Sequence, residues 1–293
     1  MTRSGYVALA GRPNAGKSTL VNALVGRKVA IVSDKPQTTR RAIRGVVTED
    51  DVQLVLVDLP GVQRPLDALT ERMQRRVERE VADCDAALLL LNGEQGVGHG
   101  DRFIAGLLGG AGVPVVVAVN KVDRLNRAQT MAALTDAAAL EVSDDVFPVS
   151  ARMGNGLRDL VAHLEALMPE GPFLFAAGEV SDQPRETLIA ELIREQALRR
   201  TFQEVPHAVE VTVEELDESR PDLVEIRAIA WVEAESQKGI LIGARGAKIK
   251  SIGTAARKEL ERELGCHVHL DLSVRVRRAW RGDEQMLDRL GIE

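Results

Sequence analysis

A glycine-rich stretch near the start of the chain has the residue types and the spacing that bind phosphate. The segment Gly11–Ser18 reads GRPNAGKS, follows the apolar run Tyr6–Ala10 and precedes the amphipathic run Thr19–Val25. Glycines let such a loop fold tightly enough for several backbone N–H groups to converge on a polyphosphate, and the N-terminus of the following helix stabilises its negative charge. In this strand–loop–helix context, a chance glycine-rich turn is the weaker interpretation.

Three side chains of this loop have specific predicted roles. Lys17 should reach the β- and γ-phosphates, and the Ser18 hydroxyl should ligate Mg²⁺. Asn14 has two alternative roles, which are bracing the loop or holding a monovalent cation such as K⁺ beside the phosphates. The residues of this stretch that we expect to contact the nucleotide are Gly11, Asn14, Ala15, Gly16, Lys17, Ser18 and Thr19.

A second polar motif, DLPG, directly follows the strand-like run Leu54–Val57. Asp58 can hold Mg²⁺ through water, and the Gly61 N–H can donate to a γ-phosphate. This motif is weak evidence alone, but it becomes specific when it comes one strand after a phosphate loop.

The motif NKVD, residues Asn120 to Asp123, follows the apolar run Val113–Val119 and predicts the base. An ionised carboxylate only accepts hydrogen bonds, so Asp123 suits the N1–H and 2-amino groups of guanine. Adenine has an acceptor at N1 and no 2-amino group, which would leave the carboxylate unpaired. The predicted base is therefore guanine, with Asn120 bracing the loop and the Lys121 stem packing on the purine.

Each of these motifs follows a short apolar run, and the runs alternate with helix-like segments. Ser150 and Ala151, which could offer a backbone N–H to the guanine O6, follow the run Val146–Val149. Uninterrupted apolar runs are typical of strands buried on both faces, and the alternation predicts an α/β domain with a mostly parallel sheet. Ligand loops then cluster at the carboxyl ends of the strands. Further strands are expected at Val52–Val57 and Ala86–Leu91, and helices at Leu69–Val81, Asp101–Leu108, Ala128–Leu140 and Leu157–Met168.

The composition is that of an ordinary globular protein with room for two domains. Of the 293 residues, 45% are hydrophobic and 28% are charged, and the formal net charge of −6 means that any nucleic-acid surface must be local. Cys84 and Cys266 are expected to be buried free thiols in a reducing compartment. We find no signal-peptide pattern and no apolar run long enough to span a bilayer, so a cytoplasmic location is expected.

The composition changes after Met168, where a stretch with three prolines and no clear hydrophobic period begins. We predict a first domain at residues 1–169, a linker at 170–184 and an α+β second domain at 185–293. Its expected elements are a helix at Arg185–Arg200, strands at Val209–Val213, Leu223–Val232 and Val268–Val276, an acidic turn at Glu214–Pro221, two helices between Gly239 and Leu264, and a closing helix at Asp283–Leu290.

The second domain contains a G-x-x-G loop, residues 243–246, between its two central helices. Glycines let an RNA backbone approach closely, and in KH domains such a loop clamps about four nucleotides of a single strand. The order α-β-β-α-α-β is that of a type II KH domain. The basic residues around the loop predict salt-dependent phosphate binding, although a solvated helix face is the alternative. The predicted RNA contacts are Gly243, Ala244, Arg245, Gly246, Lys248 and Lys250.

Two weaker features of this domain have ordinary explanations. Trp280, which follows two arginines, could stack on a base, but we expect it to pack the closing helix against the domain. His267 and His269 share one face of a strand, and we expect an ordinary half-exposed strand there rather than a metal pair.

Taken together, these motifs resemble the Era family of translation-factor-related GTPases over essentially the whole chain. The markers beyond the nucleotide motifs are the segment Gln37–Arg40 (QTTR) and the stretch Ser236–Lys258. The resemblance implies a P-loop GTPase domain followed by a type II KH domain, with GTP or GDP and Mg²⁺ as cofactors. It also implies the 3′ end of 16S rRNA and the small (30S) ribosomal subunit as partners, in subunit assembly. No obligate protein partner is expected, and peripheral contact with the inner face of the cell membrane is an alternative location.

The resemblance also assigns a switch segment, Arg27–Gly45, which we expect to be flexible. By analogy with related GTPases, Thr39 should coordinate Mg²⁺ and sense the γ-phosphate, so the expected metal ligands are Ser18, Thr39 and Asp58. With Lys17 and Gly61, Thr39 completes the expected catalytic set.

Val62 departs from the Ras pattern because Ras-like enzymes carry a water-positioning Gln there. A valine cannot orient water, so we expect slow intrinsic hydrolysis that is completed by another group or by a bound partner. Arg40 and Arg41 lie in the switch segment, but the sequence does not assign either as an arginine finger.

Three functions fit these patterns. The leading hypothesis is a GTP-driven switch that repositions or exposes its KH domain for RNA. The second is an RNA-binding module that binds constitutively and holds nucleotide as a structural or timing element. The third is a membrane-associated regulatory GTPase. RNA affinity that depends on the bound nucleotide would separate the first from the second.

Overall fold

The computed structural model describes residues 1–35, 38–61, 68–202 and 205–290. Its first domain is built on a six-stranded sheet of order β2-β3-β1-β4-β5-β6, in which β2 is antiparallel to β3 and all other neighbours are parallel. The predicted, mostly parallel sheet is therefore confirmed. Its strands are Arg3–Ala10 (β1), Ile43–Glu49 (β2), Val52–Asp58 (β3), Ala86–Asn92 (β4), Val115–Asn120 (β5) and Val146–Pro148 (β6).

Helices cover both faces of this sheet, which is why its central strands are apolar on both sides. Every residue of β3 and β4 is buried, and two apolar clusters form the core on the two faces. The helices are Lys17–Val25 (α1), Ala68–Ala82 (α2), His99–Gly109 (α3), Arg127–Ala138 (α4) and Leu157–Leu167 (α5). The predicted alternation of strands and helices is confirmed.

Strand β2 was not predicted, because the sequence places it at the end of the expected switch segment Arg27–Gly45. Gly45, which is typical of a loop, lies inside this strand. A Cβ at Gly45 would fall 2.7 Å from Val21 and 2.8 Å from Val25 of α1. The glycine is therefore needed for close packing of the helix on the strand, and the switch segment ends before Ile43.

The predicted linker, residues 170–184, lies along the first domain. The Ser4 hydroxyl donates to the carbonyl of Pro172 (2.7 Å), and the N–H of Val46 in β2 donates to the carbonyl of Val180 (2.9 Å). The Gln53 side chain accepts from the N–H of Phe175 (2.9 Å). These long-range hydrogen bonds fasten the segment to strands β1, β2 and β3.

The second domain has a three-stranded sheet of order β7-β8-β9, covered on one face by helices α6 and α9 over a single apolar cluster. Strands β7 and β8 are antiparallel, and β8 and β9 are parallel. The elements are Arg185–Arg200 (α6), Val205–Ala208 (α7), Glu210–Arg220 (β7), Leu223–Val232 (β8), Glu235–Ile242 (α8), Ala247–Leu264 (α9), His267–Val276 (β9) and Glu284–Arg289 (α10). Apart from the short α7, this is the predicted KH-type order.

The expected acidic turn at Glu214–Pro221 is wrong, because β7 continues to Arg220. Glu215 pairs with Arg227 of β8 across the sheet, and their side chains form an ion pair at 2.5 Å. This end of the hairpin is exposed, so acidic side chains do not prevent pairing there.

Cys84 and Cys266 are free thiols, as expected, although only Cys84 is buried and Cys266 is half-buried. Among the described residues, no helix is long and apolar enough to cross a membrane.

Candidate functional site

The predicted phosphate loop lies between β1 and α1, where Gly16 (φ 103°) forms the N-cap of the helix. A Cβ on Gly16 would fall 2.3 Å from Asn120 Nδ2, so the close approach of another loop requires glycine. The buried Lys17 ammonium donates to the carbonyls of Gly11 (2.9 Å) and Arg12 (3.4 Å), which holds it over the loop. This geometry can cradle a polyphosphate.

The three predicted metal ligands converge at one edge of this loop. Ser18 Oγ donates to Asp58 Oδ2 (2.6 Å) and lies 3.1 Å from Thr39 Oγ1, which in turn lies 3.4 Å from Asp58 Oδ2. The buried Asp58 Oδ1 has no hydrogen-bond partner among the described residues. Two hydroxyls and a carboxylate with an unused oxygen fit the oxygen ligands that Mg²⁺ prefers.

Burial opposes the charges of this site. Burial raises the pKa of Asp58, while Lys17, Ser18 and Thr39 act in the other direction. Burial likewise lowers the pKa of Lys17, against the attraction of Asp58. A metal cation beside Asp58 and phosphate beside Lys17 would each favour the charged form, so the electrostatics also fit a metal–phosphate ligand.

Asn120 braces the base-recognition loop against the phosphate loop, as predicted. Its Nδ2 donates to the carbonyl of Ala15 (2.9 Å), and its Oδ1 accepts from the N–H groups of Lys121 (2.8 Å) and Ala151 (2.9 Å). Because the Ala151 N–H already has this partner, its role toward guanine O6 stays a prediction.

The Asp123 carboxylate is held in place by Ser150, whose hydroxyl donates to Oδ1 at 2.6 Å. One hydrogen bond leaves acceptor capacity on this carboxylate for the two donors of a guanine edge. Ser150 is therefore also a support for Asp123, a role that the sequence did not suggest.

Two further predicted residues line the same phosphate pocket. Gly61 packs beside Pro13, where a Cβ would fall 3.0 Å from the proline Cγ. Asn14 donates from Nδ2 to the carbonyl of Asp34 (2.7 Å), so it connects the phosphate loop to the switch segment. Gln37 and Val62 lie outside the described residues.

The G-x-x-G loop connects α8 to α9 through a 3-10 turn, Ala244–Gly246. Gly243, Arg245 and Gly246 all have positive φ, at 72°, 50° and 75°. A Cβ on Gly243 would fall 2.7 Å from the Cβ of Lys248, whereas a Cβ on Gly246 would meet no described atom within 4 Å. Gly243 is therefore required by space, and Gly246 by conformation.

A groove beside this loop runs between α9 and β9. Two of its side chains are basic, three are apolar and one, Asp271, is acidic; the basic and apolar side chains suit a phosphate backbone with bases turned inward. Its lining residues are Ile249, Lys250, Gly253, Thr254, Arg257, Leu270, Asp271 and Leu272.

Arg40 and Arg41 point away from the phosphate pocket and into the second domain. Arg40 is completely buried and donates to Glu210 Oε2 (2.6 Å) and to the carbonyls of Val209 and His207 (both 2.8 Å). Arg41 pairs with Glu191 at 2.7 Å. In this arrangement neither side chain can act as an arginine finger on the nucleotide.

The charges of these pairs persist at neutral pH. Burial would raise the pKa of Glu210, but Arg41, Arg194 and Arg40 lower it to about 2. Burial lowers the pKa of Arg40 to about 10, with Glu210 opposing the shift.

Helix α6 supplies functional contacts that the sequence did not reveal. Its apolar face packs in the KH core as expected, but Glu191, Arg194 and Glu195 are buried as well. Glu195 accepts from the N–H of Val32 in the switch segment (2.9 Å) and from Lys28 Nζ (2.6 Å). The only sequence signal for these contacts was charged residues three or four positions apart on the helix. That pattern more often marks a helix face that is exposed to solvent.

Trp280 is buried, and its Nε1 donates to the carbonyl of Ala208 (2.9 Å), which confirms the packing role. It shares an apolar cluster with Leu69 and Met73 of α2 and with residues of α10. His267 and His269 are exposed, and the described part of the chain contains no group of three or more His, Cys, Asp or Glu side chains that could hold a metal ion.

The fold and the site define a P-loop GTPase with guanine specificity that is followed by a KH domain. In agreement, residues 6–121 match the 50S ribosome-binding GTPase family, and residues 204–281 match the KH domain family.

The chain belongs to the GTPase Era family. It is 45% identical to GTPase Era of Mycobacterium tuberculosis over 98% of both chains, and 43% identical to GTPase Era of Lactobacillus delbrueckii subsp. bulgaricus over 99% of this chain and 96% of that protein.

Two solved Era structures have the same fold over nearly the full length. One is Era in complex with MgGDPNP and nucleotides 1506–1542 of 16S ribosomal RNA, with a TM-score of 0.95 and 33% identity over 100% of this chain and 99% of that chain. The other is an Aquifex aeolicus Era variant bound to GDP and AlF4⁻, with a TM-score of 0.92 and 32% identity over 99% of both chains.

Proposed function

We propose that this protein is a GTP-hydrolysing switch whose KH domain binds the 3′ end of 16S rRNA during assembly of the small (30S) ribosomal subunit. The observation that carries the proposal is the position of the switch segment. Thr39 contacts the metal ligand set, while the next residue, Arg40, is buried in the KH domain. A change at the γ-phosphate therefore has a direct physical route to the RNA-binding domain. The Era structure with 16S rRNA supports the choice of partner.

In the nucleotide site, the phosphate loop holds the phosphates and Lys17 neutralises their charge. With GTP bound, Ser18, Thr39 and, through water, Asp58 would hold Mg²⁺, which would supply charge neutralisation at the phosphates. Gly61 donates its N–H to the γ-phosphate.

Asp123 reads the guanine edge. Its neighbours Asn120 and Lys121 brace the loop and pack on the base, and Ser150 and Ala151 close it on the other side. These five residues set the preference for guanine over adenine.

A monovalent-cation role for Asn14 is a finer part of the proposal. In this structure the Asn14 amide nitrogen donates to the Asp34 carbonyl, which is the bracing role; for K⁺ the amide oxygen would have to turn toward the cation. Hydrolysis at equal rates in K⁺ and Na⁺ would remove this role.

In the RNA site, the G-x-x-G loop clamps the backbone of a single strand. Gly243 and Gly246 permit close approach, Ala244 and Arg245 form the middle of the clamp, and the positive charges of Lys248 and Lys250 attract phosphate. The groove between α9 and β9 receives the bases.

The domain boundaries belong to the proposal as well. Residues 1–169 bind and hydrolyse the nucleotide, residues 170–184 connect the domains, and residues 185–293 bind RNA. The proposed location is the cytoplasm, where the ribosomal subunit is assembled.

The testing experiment is RNA binding by the intact chain, using the 3′-terminal strand of 16S rRNA at fixed salt with a non-hydrolysable GTP analogue, with GDP or without nucleotide. Tighter binding with the GTP analogue is expected. Equal affinity in the three conditions would contradict the switch and favour an RNA-binding module that is independent of nucleotide.

A further inference from the structure

A cluster of buried charges attaches the switch segment to the KH domain. It joins the two arginines that follow Thr39 to charged residues of α6 and β7. The side chains of Arg40, Arg194 and Glu210 are completely buried. Solvent water therefore cannot hydrate their charges, and they depend on one another. We call the following residues the switch cluster: Arg40, Arg41, Glu191, Arg194 and Glu210.

Thr39 lies between two residues that this cluster holds. Arg194 Nη2 donates to the carbonyl of Thr38, and Glu210 accepts from Arg40. Consecutive Cα atoms lie only about 3.8 Å apart, so fixing both neighbours leaves the intervening residue little freedom. The Thr39 hydroxyl therefore stays close to the metal ligand set in this conformation.

Glu210 is the member on which the arrangement depends most. It accepts from Arg40 at 2.6 Å, and it lies 3.4 Å from Arg41 and 3.8 Å from Arg194. Arg41 and Arg194 each have a second carboxylate partner, Glu191, at 2.7 Å. Arg40 forms an ion pair with Glu210 alone among the described residues. A buried arginine without a carboxylate partner is strongly unfavourable, so Arg40 stays in place only while Glu210 is charged.

From this geometry we propose that Glu210, a residue of the RNA-binding domain, is a positioning residue of the GTP site, which holds Thr39 in its closed position. This inference rests on the proposed role of Thr39 in sensing the γ-phosphate. The KH domain is then part of the device that distinguishes GTP from GDP.

The position of Thr39 should affect the affinity for GTP but not the affinity for GDP. GDP has no γ-phosphate for Thr39 to sense, so its affinity is insensitive to where Thr39 lies. GTP gains the Thr39 contact, and a preorganised threonine makes that contact without an ordering cost. Glu210 should therefore raise the preference for GTP and leave the affinity for GDP unchanged.

The test is nucleotide affinity of the full chain without RNA, measured with fluorescent GDP and a fluorescent non-hydrolysable GTP analogue. Glu210→Gln is expected to weaken the GTP analogue about tenfold and to leave GDP within about twofold, which lies in the usual range of coupling between sites. The matched control is Glu215→Gln, an exposed residue of the same strand, which should change neither affinity.

A double variant tests whether Glu210 acts through Thr39. Thr39→Ala alone should show the same selective loss, and adding Glu210→Gln should weaken the GTP analogue no further. Equal loss of both nucleotides in Glu210→Gln, or additive losses in the double variant, would overturn the inference.

A second variant tests the inference even if Glu210→Gln does not fold. Arg40→Lys keeps the buried positive charge but loses the forked contacts of the guanidinium, so it should show the same selective loss. An unchanged preference for GTP in Arg40→Lys would count against the inference. Thr39→Ala tests the proposed role of Thr39, so if it shows the selective loss, failure of Glu210→Gln concerns Glu210 alone. RNA binding that is independent of nucleotide would instead contradict the proposed switch.

Discussion

Replacing Gly16 by alanine should disturb two features at one position, the left-handed backbone and the contact with Asn120. The first affects folding and the second affects nucleotide binding, so measuring both separates the two effects. Gly16 has φ 103°, a conformation that side chains rarely adopt. Its added Cβ would fall 2.3 Å from Asn120 Nδ2, which donates to the carbonyl of Ala15 and joins the base loop to the phosphate loop. The substitution therefore disturbs the phosphate and base loops together.

The size of the effect follows from these two terms. A left-handed backbone costs a residue with a Cβ about 1–2 kcal/mol, and losing a buried hydrogen bond costs about 1–3 kcal/mol. The backbone term should appear as about 1–2 kcal/mol of lost stability. The loss of the Asn120 hydrogen bond loosens both nucleotide loops, so it should weaken nucleotide binding by about 1–3 kcal/mol, which is a roughly 5- to 150-fold weaker affinity.

The assay is titration of fluorescent GDP, with thermal unfolding of the same samples. The matched control is Gly26→Ala, at the other end of the same helix, because Gly26 also has positive φ (73°) but an added Cβ there would meet no described atom within 4 Å. The control should lose about 1 kcal/mol of stability and keep its affinity. Affinity of Gly16→Ala within about threefold of wild type, a change of under 1 kcal/mol, would refute the steric reasoning.

Three other predictions address base recognition, the RNA clamp and pH. Gly246→Asp should weaken RNA binding at least about tenfold by placing a negative charge at the phosphate clamp. The control Gly265→Asp, in the same backbone conformation at the other end of α9, should bind RNA normally. Equal RNA affinities of the two variants would exclude the clamp. Asp123→Asn should weaken GDP about 100-fold or more, because guanine donors then face an amide, and competition with xanthosine diphosphate should show a reversed preference. The pKa of Glu210 falls from 4.5 to about 2 on folding, so its stabilising contribution is present above pH 4.5 and is lost as the pH falls toward 2. The unfolding temperatures of wild type and Glu210→Gln should therefore converge in acid. A difference that stays constant with pH would contradict this assignment.

The sequence was sufficient where function depends on local spacing. Each nucleotide motif follows a buried strand, so its position at the carboxyl end of the sheet could be inferred without any tertiary contact. The helix Arg185–Arg200 was predicted with its final boundaries because its apolar spacing is regular.

The sequence was insufficient where a residue serves a distant neighbour. Gly45 lies in a strand because α1 packs against it, and Glu195 is buried because the switch segment lies against it. Neither neighbour is close in sequence, so Gly45 was assigned to the flexible switch segment and no role was assigned to Glu195.

The charged residues at the domain interface also affect how the switch segment can open after hydrolysis. Opening the switch segment as a whole would take Arg40 and Arg41 away from Glu191 and Glu210. In a closed interface, an unpaired charge among these residues would cost about 3–5 kcal/mol. If the domains separate at the same time, water hydrates each charge and offsets much of that cost. The switch cluster therefore favours two end states, domains docked with Thr39 closed or domains apart with the segment released, over any intermediate arrangement.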